Sequence, residues 1–212
     1  MTRWSLAAEL PSLIAPAWRD ADRWQRLAAE PSRYRMLPGF LAAGAAQEIH
    51  EAVLALPMAR LTTVLLDADR HLLAATEVPR WLDLLQIEPL RALVGDVLRR
   101  EMPPGLVVNA WRLHRGDHMG VHPDGPLYRG TISLGLCPAW TPADGGAIAF
   151  GDKAGDDFIV TERWYPHLGD VCLFAPEVDT WHCVERVHSD VVRHSLTGWW
   201  TEPADGLTRG RD

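Results

Sequence analysis

Histidine residues occur along the second half of the chain at spacings that could bind a metal ion. His114, His118 and His122 are four residues apart, a spacing that would place all three on one face of a helix. Gly116 and Gly120 interrupt this stretch, and glycine disfavours a helix. We therefore predict that the segment is a strand, a loop and a second strand.

His122 and Asp124 are a second candidate pair, because residues two apart in an extended segment point to the same side. Taken alone, this pair is more simply explained by a turn at Asp124 and Gly125. A third candidate, His182, lies far downstream in the strand-like run WHCVERVH and could reach the same point across a sheet. Two histidines and one carboxylate bind a divalent ion on one side and leave its other positions open, as in non-haem Fe(II) oxygenases.

Arg193 could bind an anionic ligand near such an ion. In the run VVRHSLTGWW, strand alternation places Arg193, Ser195 and Thr197 on one face. An arginine flanked by hydroxyl groups suits a carboxylate, and the alternative is an arginine on the protein surface. The run RGTISLGLC also favours a ligand-binding cavity. Thr131 and Ser133 give one of its faces small polar side chains that leave room for a ligand.

The elements that must position these residues change character along the chain. Residues 34–40 (YRMLPGF) are predicted to be a short strand and turn, and apolar periodicity predicts helices over 49–56 and after Pro89. From Leu106 onward, short strand-like runs follow at 106–114, 129–137, 146–150, 157–161, 170–175, 181–188 and 191–201. Helices followed by strands predict an α+β fold, with a barrel or sandwich and helices packed outside it.

In these motifs and their order the chain resembles the Fe(II)/2-oxoglutarate-dependent oxygenases, in the prolyl-hydroxylase-like branch. The likeness runs from about Tyr34 to Glu202 and is carried by RYRMLPGFL, RGDHMGVHPDG, SLGLCPAWTPADGGAIAFGD, HLGDVCLFAPEVDTWHCVERV and RHSLTGWW. It implies a double-stranded β-helix, a jelly-roll-like squashed barrel with supporting N-terminal helices. The implied organisation is a helical extension over residues 1–33, the oxygenase domain over 34–202, and a polar tail over 203–212.

The resemblance also implies roles for individual residues. His122, Asp124 and His182 would bind Fe(II), and Arg193 would pair with the distal carboxylate of the cosubstrate 2-oxoglutarate. Thr131 and Thr197 are expected to add hydrogen bonds to the cosubstrate, and O2 is the third reactant. Relatives often place a tyrosine hydroxyl on the cosubstrate, whereas Gly135 and Leu113 stand at about those places here, so that Trp111 or Ser133 would have to compensate.

The substrate is expected to meet residues in loops around the mouth of the barrel. We predict contacts from His118, Tyr128, Arg129 and Trp164. The expected reaction is hydroxylation of an unactivated C–H bond in an amino-acid-like small molecule, either a free amino acid or a natural-product intermediate. A protein prolyl hydroxylase is the alternative substrate class, and a non-catalytic sensor that binds metal and 2-oxoglutarate is the alternative of another kind.

Length and composition indicate the number of domains, the kind of partner and the cellular location. The length of 212 residues fits one domain, and a net charge of −7 argues against a nucleic-acid partner or an anionic membrane surface. No apolar run is long enough to span a membrane. The three cysteines are widely spaced, which argues against a disulfide framework and favours a cytoplasmic location. The expected partner is a small-molecule or peptide-like substrate.

Overall fold

A computed structural model describes residues 12–202 except 31, 75 and 178, so the predicted tail over 203–212 lies outside the described residues. The α-helices of the described part are α1 (Ala21–Ala29), α2 (Ala43–Leu54), α3 (Pro79–Gln86) and α4 (Glu88–Leu98). Its strands are β1 (Tyr34–Leu37), β2 (Ala59–Thr62), β3 (Leu66–Leu72), β4 (Gly105–Leu113), β5 (His118–His122), β6 (Tyr128–Gly135), β7 (Ile148–Ala154), β8 (Asp157–Trp164), β9 (Val171–Phe174), β10 (Trp181–Val184) and β11 (Arg193–Thr201).

The strands form one strongly curved antiparallel sheet in the order β1-β9-β6-β11-β4-β3-β5-β10-β7-β8, with β2 added to β3. Strands β9, β6, β11 and β4 make one wall, and β5, β10, β7 and β8 make the other. Because β3 pairs with both β4 and β5, it joins the two walls along one side. The result is a nearly closed barrel, and the predicted double-stranded β-helix is confirmed.

Strand alternation divides the hydrophobic core into two layers, one on each side of the first wall. On β6, Ile132 and Leu134 face outward and pack with helix residues such as Trp81. Inside the barrel, Phe150 and Phe174 lead a second buried cluster. The predicted apolar and polar faces of the strands are therefore confirmed, with the helices covering the outside.

The helical layer begins before β1. A single turn over Pro16–Trp18 precedes α1, and the side chain of Asp20 accepts a hydrogen bond from the backbone N–H of Asp22 at the start of this helix. Trp18 and Trp24 are buried with Phe40 in the outer core layer. The described part of the segment before Tyr34 thus contributes to the main core.

Most predicted elements are present, including the strand at β1, the helices α2 and α4, and an extended rather than helical conformation at β5. Helix α3 and both strands of the β2–β3 hairpin were missed. Helix α3 is short, and the β2–β3 hairpin is largely polar, with little periodicity to mark it. Among the described residues, no helix has the length and apolar character needed to cross a membrane.

Candidate metal centre and cosubstrate cavity

Strand pairing brings the three predicted metal ligands to one point. His122 ends β5 and lies directly opposite His182 on the neighbouring strand β10, while Asp124 follows β5 in a loop. Oδ1 of Asp124 is 3.9 Å from Nε2 of His122 and 3.9 Å from Nε2 of His182. One ligand atom from each residue lies within 4.8 Å of the others, so this group could hold one metal ion.

Backbone carbonyl groups orient both imidazole rings for metal binding. Nδ1 of His122 is 2.8 Å from the carbonyl oxygen of Gly120, and Nδ1 of His182 is 3.1 Å from that of Thr180. If each Nδ1–H donates to its carbonyl, each Nε2 keeps its lone pair and faces Asp124. Burial lowers the pKa of His182 to about 4, a shift that Asp124 opposes and His122 reinforces, so the ring is neutral near pH 7.

Two hydrogen bonds hold the carboxylate of Asp124. The hydroxyl group of Thr131 donates to Oδ2 at 2.6 Å, and the indole N–H of Trp199 donates to the same oxygen at 3.0 Å. Thr131 lines the cavity as expected, but its hydroxyl group bonds to Asp124. Trp199 was missed as a site residue, although alternation on β11 puts it on the same face as Arg193 and Thr197.

Arg193 lines the same cavity as the metal-binding group and is 1% exposed. Its Nε–H donates to the carbonyl oxygen of Gly146 at 2.7 Å, and Nη1 donates to Oγ of Ser195 at 2.8 Å. The remaining nitrogen, Nη2, is buried without a partner among the described residues. Burial lowers the pKa of Arg193 to about 10, so the guanidinium still carries its charge at neutral pH.

Gly145 and Gly146, at the end of the stretch WTPADGG, explain how Arg193 is held. Gly146 has a φ of +61°, and a Cβ atom there would lie 3.0 Å from Cδ of Arg193. Only glycine therefore allows the backbone to turn here and bring its carbonyl group close to the guanidinium. The hydrogen bond from Arg193 to this carbonyl group therefore holds the guanidinium in position.

The cavity between Arg193 and the metal-binding group has mainly apolar walls, which include Trp111, Leu113 and Phe174. Ser133 and Thr197 line it with hydroxyl groups 3.4 Å apart. A buried guanidinium nitrogen without a partner fits a ligand carboxylate, and two imidazoles with one carboxylate fit Fe(II). The residues present therefore suit both groups.

The four residues expected to contact the substrate do not line this cavity. Tyr128 contacts a residue that does line the cavity, since its ring centroid is 5.5 Å from that of Trp199. Arg129 follows Tyr128 and is exposed. His118 begins β5, four residues before His122, opposite Asp67 on β3.

The expected loop position of Trp164 was wrong. This residue ends β8, pairs with Ile148 on β7 and is 3% exposed inside the barrel core. Pairing with β7 extends β8 beyond the short run that its sequence suggested, and Trp164 has almost no surface left for a substrate.

Comparison with known proteins shows which family part of this chain resembles. Residues 108–201 match the model of the 2OG-Fe(II) oxygenase superfamily, and a search of curated proteins found no match. A prolyl-4-hydroxylase from Pseudomonas putida is 18% identical, with a TM-score of 0.68 over 84% of this chain and 100% of that one.

Two further solved structures have similar folds. A Trichoplax adhaerens prolyl hydroxylase, in complex with a hypoxia inducible factor peptide fragment, is 14% identical, with a TM-score of 0.68 over 90% of this chain and 96% of that one. The α-ketoglutarate-dependent epimerase SnoN of nogalamycin biosynthesis is 18% identical, with a TM-score of 0.66 over 86% of this chain and 84% of that one. At these identities the likeness shows a shared fold.

Proposed function

We propose that the chain is an Fe(II)- and 2-oxoglutarate-dependent dioxygenase, as its match to the 2OG-Fe(II) oxygenase superfamily over residues 108–201 supports, and that it hydroxylates an unactivated C–H bond of an amino-acid-like small molecule. The observation that carries the proposal is that one cavity is lined by an arginine with an unpartnered buried nitrogen and by two imidazoles and a carboxylate that could hold a metal ion. Bound Fe(II), with 2-oxoglutarate and O2, supplies the oxidising chemistry.

The residues of the chain then have separate tasks. His122, His182 and Oδ1 of Asp124 would hold the iron, while the carbonyl groups behind both rings keep each Nε2 available. Arg193 would bind the distal carboxylate of 2-oxoglutarate through Nη2. The apolar walls, such as Phe174, would exclude water from the reacting atoms.

The substrate would approach from the end of the barrel that carries the metal ligands. β5 ends there at His122, β6 begins there at Tyr128, and β11 ends there at Thr201. Tyr128 and the exposed Arg129 are the proposed substrate contacts at this edge, offering a flat surface and a partner for a carboxylate. A prolyl residue of a peptide is the second candidate substrate, favoured by the peptide complex of the Trichoplax adhaerens relative.

The test combines metal binding with a substrate screen. Succinate release would be measured with wild-type protein across free amino acids, natural-product intermediates and proline-containing peptides. Asp124→Ala should lose most Fe(II) binding and most stimulated succinate release, because a ligand is removed while the barrel core is untouched. Asp156→Ala changes an exposed carboxylate in the β7–β8 turn and is the matched control.

The result can contradict the proposal at two levels. Hydroxylation by Asp124→Ala at the wild-type level would remove Asp124 from the metal site. Stimulation by peptides alone would replace the small-molecule substrate with a peptidyl one.

A further inference from the structure

We propose that Thr131 and Trp199 are positioning residues that make Asp124 a metal ligand through one oxygen only. The inference rests on the metal site of the proposed function. Both donors bond to Oδ2, at 2.6 Å and 3.0 Å, and Oδ1 is left facing the two histidines at 3.9 Å. Oδ2 therefore accepts the hydrogen bonds, and Oδ1 is left to bind the metal ion.

Asp124 needs such support because of where it lies. His122 and His182 are in paired strands, so the sheet fixes their backbones. Asp124 lies in the loop after β5, where no ladder of backbone hydrogen bonds holds it. Without hydrogen bonds to its carboxylate, the side chain could turn about χ2 and exchange its two oxygens.

The two donors come from a rigid part of the barrel. Thr131 on β6 and Trp199 on β11 are direct cross-strand partners, so their separation is set by the sheet. Thr131 is fully buried, and its branched Cβ restricts χ1. The indole ring of Trp199 also packs against Tyr128. The orientation of both donor groups is therefore the same with and without a bound metal ion.

A carboxylate bound through one oxygen has a consequence for the metal. Carboxylates can bind a cation through one oxygen or through two, and the second mode uses one more position on the ion. Hydrogen bonds from Thr131 and Trp199 occupy Oδ2 and disfavour the second mode. The positions opposite the three protein ligands then stay open for the other reactants.

A purely structural role makes a different prediction. The indole N–H of Trp199 is partly buried and favours an acceptor, so Trp199 could use Asp124 for that reason alone. In that case, removal of the N–H would lower the stability of the fold and leave the metal site unchanged. Measurements on the metal itself separate the two possibilities.

The experiment titrates the metal-free protein with Co(II), whose visible absorption responds to its coordination number. Trp199→Phe removes the N–H and keeps an aromatic ring, and Thr131→Val removes the hydroxyl group at nearly constant shape. Each should weaken Co(II) binding about 10-fold and change the Co(II) absorption spectrum. Thr131→Ser keeps a hydroxyl group and should restore both readouts toward wild type.

Ser133→Ala is the matched control, because Ser133 lines the same cavity from the same strand but lies near Thr197 rather than Asp124. Unchanged Co(II) affinity and spectrum in Trp199→Phe and Thr131→Val would overturn the inference. If Trp199→Phe does not fold, the comparison of valine and serine at position 131 decides it. Equal Co(II) binding by wild type and His122→Ala would instead refute the proposed metal site.

Discussion

At the scale of single residues, burial sets the charges of the site before any ligand binds. It lowers the pKa of His182 to about 4, which leaves a neutral ring suited to metal binding. Arg193 is more deeply buried, yet its pKa of about 10 keeps it cationic. Two of its nitrogens bond to Gly146 and Ser195, and the third is available for a carboxylate.

This geometry predicts that Arg193 cannot be replaced by another cation. Arg193→Lys keeps a positive charge but loses the planar group that bonds to Gly146 and Ser195 at the same time. Arg193→Ala should weaken 2-oxoglutarate binding about 10- to 100-fold, the range for a lost hydrogen bond to a charged group. We expect Arg193→Lys to fall between alanine and wild type.

The measurement is anaerobic binding of 2-oxoglutarate to the metal-loaded protein, together with its KM. Arg163→Lys is the control, because Arg163 pairs with Glu185 on the outer surface. An unchanged KM for 2-oxoglutarate in Arg193→Ala would assign the carboxylate to a different basic residue.

At the scale of elements, the β2–β3 hairpin supports the strand that carries His122. β3 pairs with β5 through Leu66 and Met119, and Arg60 on β2 reaches the turn before β5. There Nη1 and Nη2 of Arg60 each donate to a carboxylate oxygen of Asp117, both at 2.6 Å. Asp117 is 4% exposed. Burial alone would raise its pKa, but Arg60 and the backbone N–H of His114 outweigh burial and lower it.

Removal of the Arg60 guanidinium should therefore destabilise the protein. Arg60→Gln leaves a buried carboxylate with fewer donors, which should reduce the free energy of unfolding by about 1–2 kcal/mol, since Arg60 itself is partly exposed. Urea denaturation of the metal-free protein measures this. Arg163→Gln, which breaks a surface pair, should change the stability by less than about 0.5 kcal/mol. Equal effects of the two substitutions would show that the Asp117 pair does not brace this turn.

At the scale of the whole molecule, stability depends on contact between the helical layer and the barrel. His194 on β11 faces outward and lies 5.7 Å from His50 of α2, measured between ring centroids. Burial lowers the pKa of His194 to about 4, and His50, Arg112, His114 and Arg193 add to this. Protonation of His194 would place an unfavourable charge between the two layers.

The sign of the resulting pH dependence follows from the proton count. The ordinary histidine pKa is 6.5, and folding lowers that of His194 to about 4. Between these values the unfolded chain binds more protons, so stability is full above pH 6.5 and falls as the pH drops toward 4. The stability lost through His194 as the pH falls from 6.5 to 4 is on the order of 3 kcal/mol.

His194→Gln should remove part of this pH dependence. Thermal unfolding of the metal-free protein, measured at several pH values from neutral to mildly acidic, should show a shallower decline for this variant than for wild type. His182 contributes in the same direction, so some decline should remain. His188→Gln alters an exposed ring and should follow wild type, and a His194→Gln curve parallel to wild type would contradict the assignment.

The sequence by itself determined the fold class, the family likeness and the faces of the main strands. These features depend on local alternation, so Arg193, Ser195 and Thr197 could be placed on one face from their spacing alone. The stretch from Leu136 to Gly146 could likewise be recognised in the sequence as part of the family resemblance. Its task of presenting a carbonyl group to Arg193 became visible only in the folded barrel.

Only the tertiary structure decided which side chains meet across strands. The hydrogen bonds from Thr131 and Trp199 to Asp124 depend on the register between β6 and β11, and the burial of Trp164 depends on its pairing with β7. The β2–β3 hairpin is held in part by Arg60 and Asp117, which are 57 residues apart. Local periodicity records which way a side chain points, but the partner that it meets depends on pairing between distant segments.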